Sequence, residues 1–391
     1  MGTNTTKKRG IGKLCAAILC FALVFCGGFG QMGALLAATD TATIDTQEQR
    51  AINEAKKELI TLEQVRNESR SRGTETKDAR SGLVTAQAAK DAADMTLYDA
   101  IYIGMDEAIV RAVLNQESAG TSLEDAKATL ETQMEAAIYS GERLFFEYLQ
   151  LLDSLTSLEA TIDLSKEQLR IEELKARIGL STDTEVKKKA LALDNLVERR
   201  ESLVSGIDLK GRTLLLQMGR DPDLVFRLDP AFSIEGLRTV YDPEQLADLA
   251  VKNNLTLGVL RRNIDKLGDT LFSSFSVLSS TDRGVYGAQR DSLILSRDRM
   301  IDELKLAARN TATGLTSARV ELELLGLAVA EKQVDYEVIA LQVSIGLAPK
   351  IALSAAELDL LSAQNALAAA QQNYYLSLRR ASLLLNGIAL R

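Results

Sequence analysis

Residues 315–349 read LTSARVELELLGLAVAEKQVDYEVIALQVSIGLAP. Within them Leu315, Ala318, Leu322, Leu325, Val329, Lys332, Tyr336, Ile339, Val343 and Gly346 alternate steps of three and four. That 3.5-residue period is the seam of a helix lying along a partner helix. The same seam recurs at a constant offset in the first half, at Tyr148, Leu151, Leu155, Leu158, Ile162, Ser165, Leu169, Glu172, Ala176 and Gly179. Each copy reaches a Gly in the same phase, in Ile178-Gly179-Leu180 and Ile345-Gly346-Leu347. A shared register and a shared terminus mark an internal repeat. A weaker pair, Glu63-Gln64 and Glu244-Gln245, opens each unit.

The later helix carries a second seam: Leu324, Leu327, Glu331, Val334, Val338, Leu341 and Ile345. It trails the first by two residues, about 200° around a helix. Two opposed apolar seams call for two neighbours, whereas a two-stranded coiled coil needs one. A sheet of helices closing as a tube fits this pattern; a buried helix in a globular bundle also fits, but the sustained register favours the tube. After each tip the chain turns back. Thr182 to Glu185 has capping-box spacing, and Pro349 suits a first helical turn. The second return helix mixes large and small seam residues, Leu353, Ala356, Leu360, Ala363, Leu367, Ala370, Tyr374, Ser377, Ala381 and Leu384. Descending helices near 121–178 and 291–345 would each be roughly 80–90 Å long.

Composition agrees with long helices. Of 391 residues four are Pro, and Ala, Leu, Glu, Lys and Gln abound. Pro222, Pro230 and Pro243 fall within one stretch, so 221–243 reads as the linker between repeats 39–220 and 244–391. The fold expected is all-α, a tandem repeat of long antiparallel coiled-coil hairpins, with β-barrel strands short or absent.

The segment 1–38 reads as a signal peptide, with basic Lys7, Lys8, Arg9 and Lys13 ahead of the apolar run Leu14 to Phe25. Cleavage is expected near Ala37 or Ala38. The alternative is a retained anchor, which Gln31 and four Gly between 27 and 33 disfavour. Cys15, Cys20 and Cys26 all lie in this leader, so the mature chain has no thiol or disulfide. Removing four basic residues leaves 42 against 54 acidic ones, taking the net charge from −8 to −12. That balance, with 5% aromatic residues, excludes nucleic acid as a partner. The chain has no His, which excludes His-dependent triads and metal sites. No phosphate loop or metal-ligand spacing is present, so an enzyme is the weakest reading and no cofactor is expected.

The tips, the seams and the Ala/Leu/Gln-rich stretch Ala355 to Asn386 resemble the TolC-like outer-membrane efflux channel family. The resemblance covers about 58–387. It implies trimers forming a twelve-helix tube, a passive conduit of a multipart efflux or type I secretion system. It also implies a periplasmic adaptor (membrane fusion protein) and an inner-membrane pump as partners, and a place in the cell envelope, outer membrane or extracytoplasmic space. The adaptor-docking tips would be Ile178, Gly179, Leu180, Ile345, Gly346 and Leu347. The family often has Thr-Asp-Val beyond the tip. Thr184-Glu185-Val186 matches it, making Glu185 the tip-proximal acid, while Ile351-Ala352-Leu353 supplies none. Lys187, Lys188, Lys189 and Lys350 make this end basic.

Two departures matter. The family's barrel strands should fall near 97–120 and 271–290, yet neither stretch, though partly alternating, has room for a membrane hairpin with aromatic girdles. Short connectors are expected there instead. Polar Gln364, Asn365, Gln371, Gln372 and Asn373 stand either as lumen-lining groups or as outer-surface groups. A structural coiled-coil scaffold of the envelope, with no conduit, remains the competing function.

Overall fold

A computed structural model describes residues 58–104, 106–233, 241–273 and 279–390. The leader 1–38, its three cysteines, the start of the first repeat at 39–57 and linker residues 234–240 lie outside them. The first half holds β1 (Glu58–Ile60), α1 (Leu62–Arg72), α2 (Thr74–Ile103), α3 (Asp106–Arg177) and α4 (Asp183–Gln217). After β2 (Phe226–Leu228) come α5 (Pro243–Asn253), α6 (Leu255–Ser273), α7 (Ser280–Ser344) and α8 (Lys350–Leu385). The order short, medium, very long, long is thus written twice.

The offset between copies shrinks along the chain. It is larger from the start of α1 at Leu62 to the start of α5 at Pro243 than from the end of α3 at Arg177 to the end of α7 at Ser344. The shortening falls on the helices that meet at the pole away from the tips, where α2 has 30 residues against 19 in α6. The descending helices outrun expectation. α3 has 72 residues and α7 has 65, about 108 and 98 Å at ~1.5 Å per residue. Low Pro content allows this length, and the seams carry no strong breaker.

In the two stretches where barrel strands would fall, the described residues hold no strand. α2 runs to Ile103 and Gly104 adopts a left-handed turn (φ 76°), after which α3 begins at Asp106. In the second stretch 274–278 lie outside the described residues. The all-α reading misses one small feature. β1 and β2 pair in parallel, Glu58 opposite Phe226 and Ile60 opposite Leu228, so part of the Pro-containing stretch is tied to the start of α1.

The caps explain the weak pair noted in sequence. Thr61 and Gln64 form a reciprocal capping box on α1. Asp242 caps α5 by accepting from the Glu244 and Gln245 N–H groups. Both halves therefore begin with a capped eleven-residue helix.

The four long helices lie in a row, α4–α3–α8–α7, with α3 beside α4 and α8, and α8 beside α3 and α7. Two cores sit within this row. The first gathers Val65, Phe145, Phe146, Leu214, Leu215, Met218 and Tyr375. The second gathers Leu246, Ala308, Ala312, Leu315, Tyr374, Leu378 and Ala381. Neighbouring residues Tyr374 and Tyr375 enter different cores, since consecutive helix residues point about 100° apart. The first core is aromatic: Phe146 meets Phe232 at 5.1 Å and Tyr375 at 5.3 Å, edge to face.

An ion cluster locks the first core. Arg220, just after α4, donates from Nε and Nη2 to both Glu68 oxygens on α1, at 2.5 and 2.6 Å, and from Nη1 to Glu58 at 2.6 Å. The Arg220 hydrogen bonds hold the Glu68 carboxyl below the ordinary carboxylate range. A depressed folded-state pKa means the stabilisation is present above the unfolded value and is lost as pH falls through the folded one. Glu68→Gln should therefore lower stability by about 1–2 kcal/mol at neutral pH, and the gap to wild type should close in acid. Urea unfolding midpoints of both proteins at about pH 7 and pH 3 check this; a gap that does not change with pH would refute it.

Candidate docking tips and subunit edges

The sequence predicts docking tips at the two hairpin turns, and the structure places those residues at the turns. α3 ends in Lys175-Ala176-Arg177-Ile178-Gly179-Leu180. The Leu180 N–H reaches the Lys175 carbonyl at 2.8 Å and the Gly179 N–H reaches that of Ala176 at 3.0 Å. α7 ends alike, with Leu347 N–H on Gln342 at 2.8 Å and Gly346 N–H on Val343 at 3.1 Å. Both are Schellman ends, which need a left-handed residue at the turn. Gly179 (φ 76°) and Gly346 (φ 77°) supply it, and a Cβ on either would meet nothing within 4 Å.

The side chains around these glycines face outward. Ile178, Leu180, Ile345 and Leu347 are 60–76% exposed. Each triplet is held by its own hairpin, and among the described residues no hydrogen bond joins one tip to the other. Thr182 caps α4 through the Glu185 N–H at 3.3 Å. The Glu185 side chain does not complete the capping box; it accepts from Lys188 Nζ at 2.8 Å. The tip-proximal acid is thus paired with a lysine of its own helix. Glu172 also serves the turn, accepting from Ser181 Oγ and from Lys175 Nζ, and these bonds lower its pKa. Pro349 stands as N-cap of α8 rather than in its first turn, one residue earlier than its sequence reading.

The two seams on α7 meet different fates. Leu315, Leu322, Leu325, Val329, Tyr336, Ile339 and Val343 are buried or half-buried in the hairpin. The opposed seam, Leu324, Leu327, Val334, Val338, Leu341 and Ile345, is 49–69% exposed along its whole length. α7 forms one edge of the helix row and this seam is its outer side. The first-half seam on α3 is covered from Tyr148 to Ala176.

The other edge was missed. On α4 the pairs Leu196-Val197 and Leu203-Val204 stand one heptad apart, and in each the Leu turns inward and the Val outward. Leu191, Leu209 and Leu216 are exposed as well, on a second strip about 100–120° around the helix. Paired apolar residues at heptad spacing were the available signal, hidden because the inner seam reads first.

The polar residues of α8 also divide differently from expectation. Gln372 is buried and accepts from Gln150 Nε2 at 2.9 Å. Asn365 donates to the Asp153 carbonyl at 3.0 Å and to Ser157 Oγ at 2.7 Å. Both fasten α8 to α3 across the repeat boundary, a role that the sequence reading did not give them, while Gln364 and Asn373 are exposed.

A further polar group lies inside this junction. Glu142 of α3 has no exposed surface, and accepts from Arg66 Nε at 2.5 Å and from the Tyr375 hydroxyl at 2.9 Å. Burial raises its pKa, against the opposing pull of Arg66 and Arg379.

A protomer of two long hairpins, side by side and capped by short helices at mid-height, is the fold of the TolC-like channels. Solved structures bear this out. The outer-membrane channel OprN superimposes with a TM-score of 0.63 at 14% identity, over 83% of this chain and 90% of that one. The Campylobacter jejuni CmeC outer membrane channel gives 0.63 at 10% identity, over 83% and 85%. The Vibrio cholerae outer membrane protein VceC gives 0.60 at 13% identity, over 84% and 97%. No protein-family profile and no curated protein matches the sequence.

Proposed function

We propose that the chain is the protomer of an exported α-helical duct, built from copies joined edge to edge. The row α4–α3–α8–α7 carries this reading, because it exposes a different apolar edge at each end. A two-fold axis could pair one edge with its own copy, but it would leave the other edges bare. The two edges pair head to tail, and when the rotation closes the result is a ring. Three copies of four long helices would give a twelve-helix tube. Substrate would pass down its water-filled lumen, and energy would come from an inner-membrane pump.

The outward Ile178, Leu180, Ile345 and Leu347 would dock the hairpin of a periplasmic adaptor, as small apolar anchors at the end of a rigid helix pair. Opening would be a shift between packings of the tip hairpins. The likeness in fold to outer-membrane channels supports a place in the envelope.

Mass measurement of the purified protein with electron microscopy tests the duct. A trimer with an open central lumen is expected. A monomer, or a dimer with a dry core, would sink the duct and favour a scaffold. The tips have their own test. In Gly179→Leu/Gly346→Leu the side chains enter open space, so the cost is the left-handed backbone alone, about 1–2 kcal/mol per site. Helicity should persist while adaptor binding is lost; undiminished binding would refute docking by the tips.

A further inference from the structure

The chain already holds one junction between its two repeats, where α8 lies along α3. A ring needs a second junction, between α7 of one copy and α4 of the next. The repeat offset that carries Gly179 to Gly346 relates the two, since it takes α3 onto α7 and α4 onto α8. Asp153 and Ser157, which are half-buried and hold Asn365, correspond to Val320 and Leu324, 46% and 61% exposed. Leu376, packed against the first core, and the buried Leu383 correspond to Leu209 and Leu216, 68% and 56% exposed. Positions covered at the inner junction are therefore apolar and bare at the two margins.

The charges follow the same correspondence, with one exchange. Inside the chain Arg379 Nη2 donates to Glu135 at 2.8 Å, and the Tyr375 hydroxyl donates to Glu142 at 2.9 Å. The equivalent positions are Asp302 and Arg309 on α7, with Arg212 and Asp208 on α4. An acid still faces an arginine at 302 and 212. At 309 and 208 the acid has moved to the other helix and a base stands in its former place. Each half of this set is already ordered in the single chain. Arg212 Nε donates to Asp208 at 2.9 Å, and Arg309 donates to both oxygens of Glu244 at 3.0 and 2.8 Å. Joined, they make one row of alternating sign: Asp302, Arg212, Asp208, Arg309 and Glu244. A network of this kind outweighs isolated surface pairs. Wrong neighbours meet like charges. α4 laid on α3 would set Asp208 against Glu142, and α7 laid on α8 would set Arg309 against Arg379.

We propose that α4 of a second copy covers the outer seam of α7 in the register of the α3–α8 junction, and that its Asp208 and Arg212 select this edge by meeting Arg309 and Asp302. The inference rests on the duct reading and adds which residues meet.

Positions 208 and 309 lie on helices at opposite edges of one protomer, so they can couple only between copies. Asp208→Arg and Arg309→Asp should each weaken assembly about tenfold, read by sedimentation as the protein concentration at half-assembly. Asp208→Arg/Arg309→Asp should recover most of that loss, with helicity by circular dichroism the same in all three. A double variant no tighter than the single ones would overturn the charge pairing. Register has a second readout that does not depend on the charge variants. In a chain carrying Cys15→Ser, Cys20→Ser and Cys26→Ser, Glu198→Cys/Leu324→Cys should join copies through a short thiol cross-linker, because 198 and 324 are the equivalents of Asn365 and Ser157. Glu198→Cys/Leu341→Cys, about 25 Å out of register along the helix, should not. Equal linking of both pairs, or of neither, in a protein that assembles would overturn the register and leave the duct standing. A wild-type chain that stays a protomer removes both.

Discussion

Gly387→Ala should be among the most damaging single-methyl additions in the chain, costing about 3 kcal/mol or more. Gly387 closes α8 as Gly219 closes α4, each by a Schellman end. Two terms act at Gly387. Its φ of 83° is left-handed, which alone costs an L-residue about 1–2 kcal/mol. A Cβ there would also lie 1.9 Å from the Asn253 carbonyl oxygen, and that oxygen is backbone. The neighbourhood cannot yield cheaply. Asn253 Nδ2 donates to the Leu385 carbonyl at 2.7 Å, Asn254 Nδ2 to that of Gly387 at 3.1 Å, and the Leu255 N–H to Gly387 at 3.3 Å. Moving the carbonyl breaks the joint between α5, α6 and α8.

A graded series makes the test specific. Gly179→Ala shares the left-handed φ but meets nothing within 4 Å, so it isolates the backbone term. Gly219→Ala meets Arg72 Cβ at 2.7 Å and falls between. Urea midpoints at one protein concentration should rank Gly387→Ala below Gly219→Ala, and that below Gly179→Ala. Equal losses at 387 and 179 would show that α8 does not close against α5.

Leu327→Asp/Leu341→Asp should abolish assembly while leaving the protomer folded. Both positions are on the outer seam of α7, 69% and 63% exposed, so a carboxylate there stays in water in the isolated chain. In the proposed ring the same positions are covered. Each loses about 1.5–3 kcal/mol of apolar burial, and each new charge adds a desolvation cost of several kcal/mol. A closed ring repeats the loss at every interface. Sedimentation should show the variant as protomers, with helicity by circular dichroism unchanged. Leu325→Asp, on the inner seam of the same helix, should instead destabilise the hairpin. Assembly that survives the outer pair intact would remove the edge-to-edge reading.

The heptad register was legible because it is local. A 3.5-residue period fixes a helix face wherever the chain goes, so both inner seams are covered as their spacing implies. The tip glycines were legible for the same reason, since a left-handed helix end is a property of a few consecutive residues. Asn365 and Gln372 were not. Their roles depend on Asp153, Ser157 and Gln150, which belong to the other repeat, and no local rule sets which helix α8 lies against. Glu142 was hidden likewise. An acid among Leu144, Phe145 and Phe146 declares nothing until Arg66 and Tyr375 arrive from other helices.

By itself the sequence determined the helices, their turning points and the two opposed seams of α7, all consequences of backbone periodicity and glycine conformation. Only the tertiary structure decided which side of the row is left open. Placing α3 and α8 inside, with α4 and α7 at the margins, takes contacts between the two repeats. That order leaves a second seam on one helix exposed at the margin of the row, and leaves Tyr98, Tyr102 and Phe272 bare at a single pole.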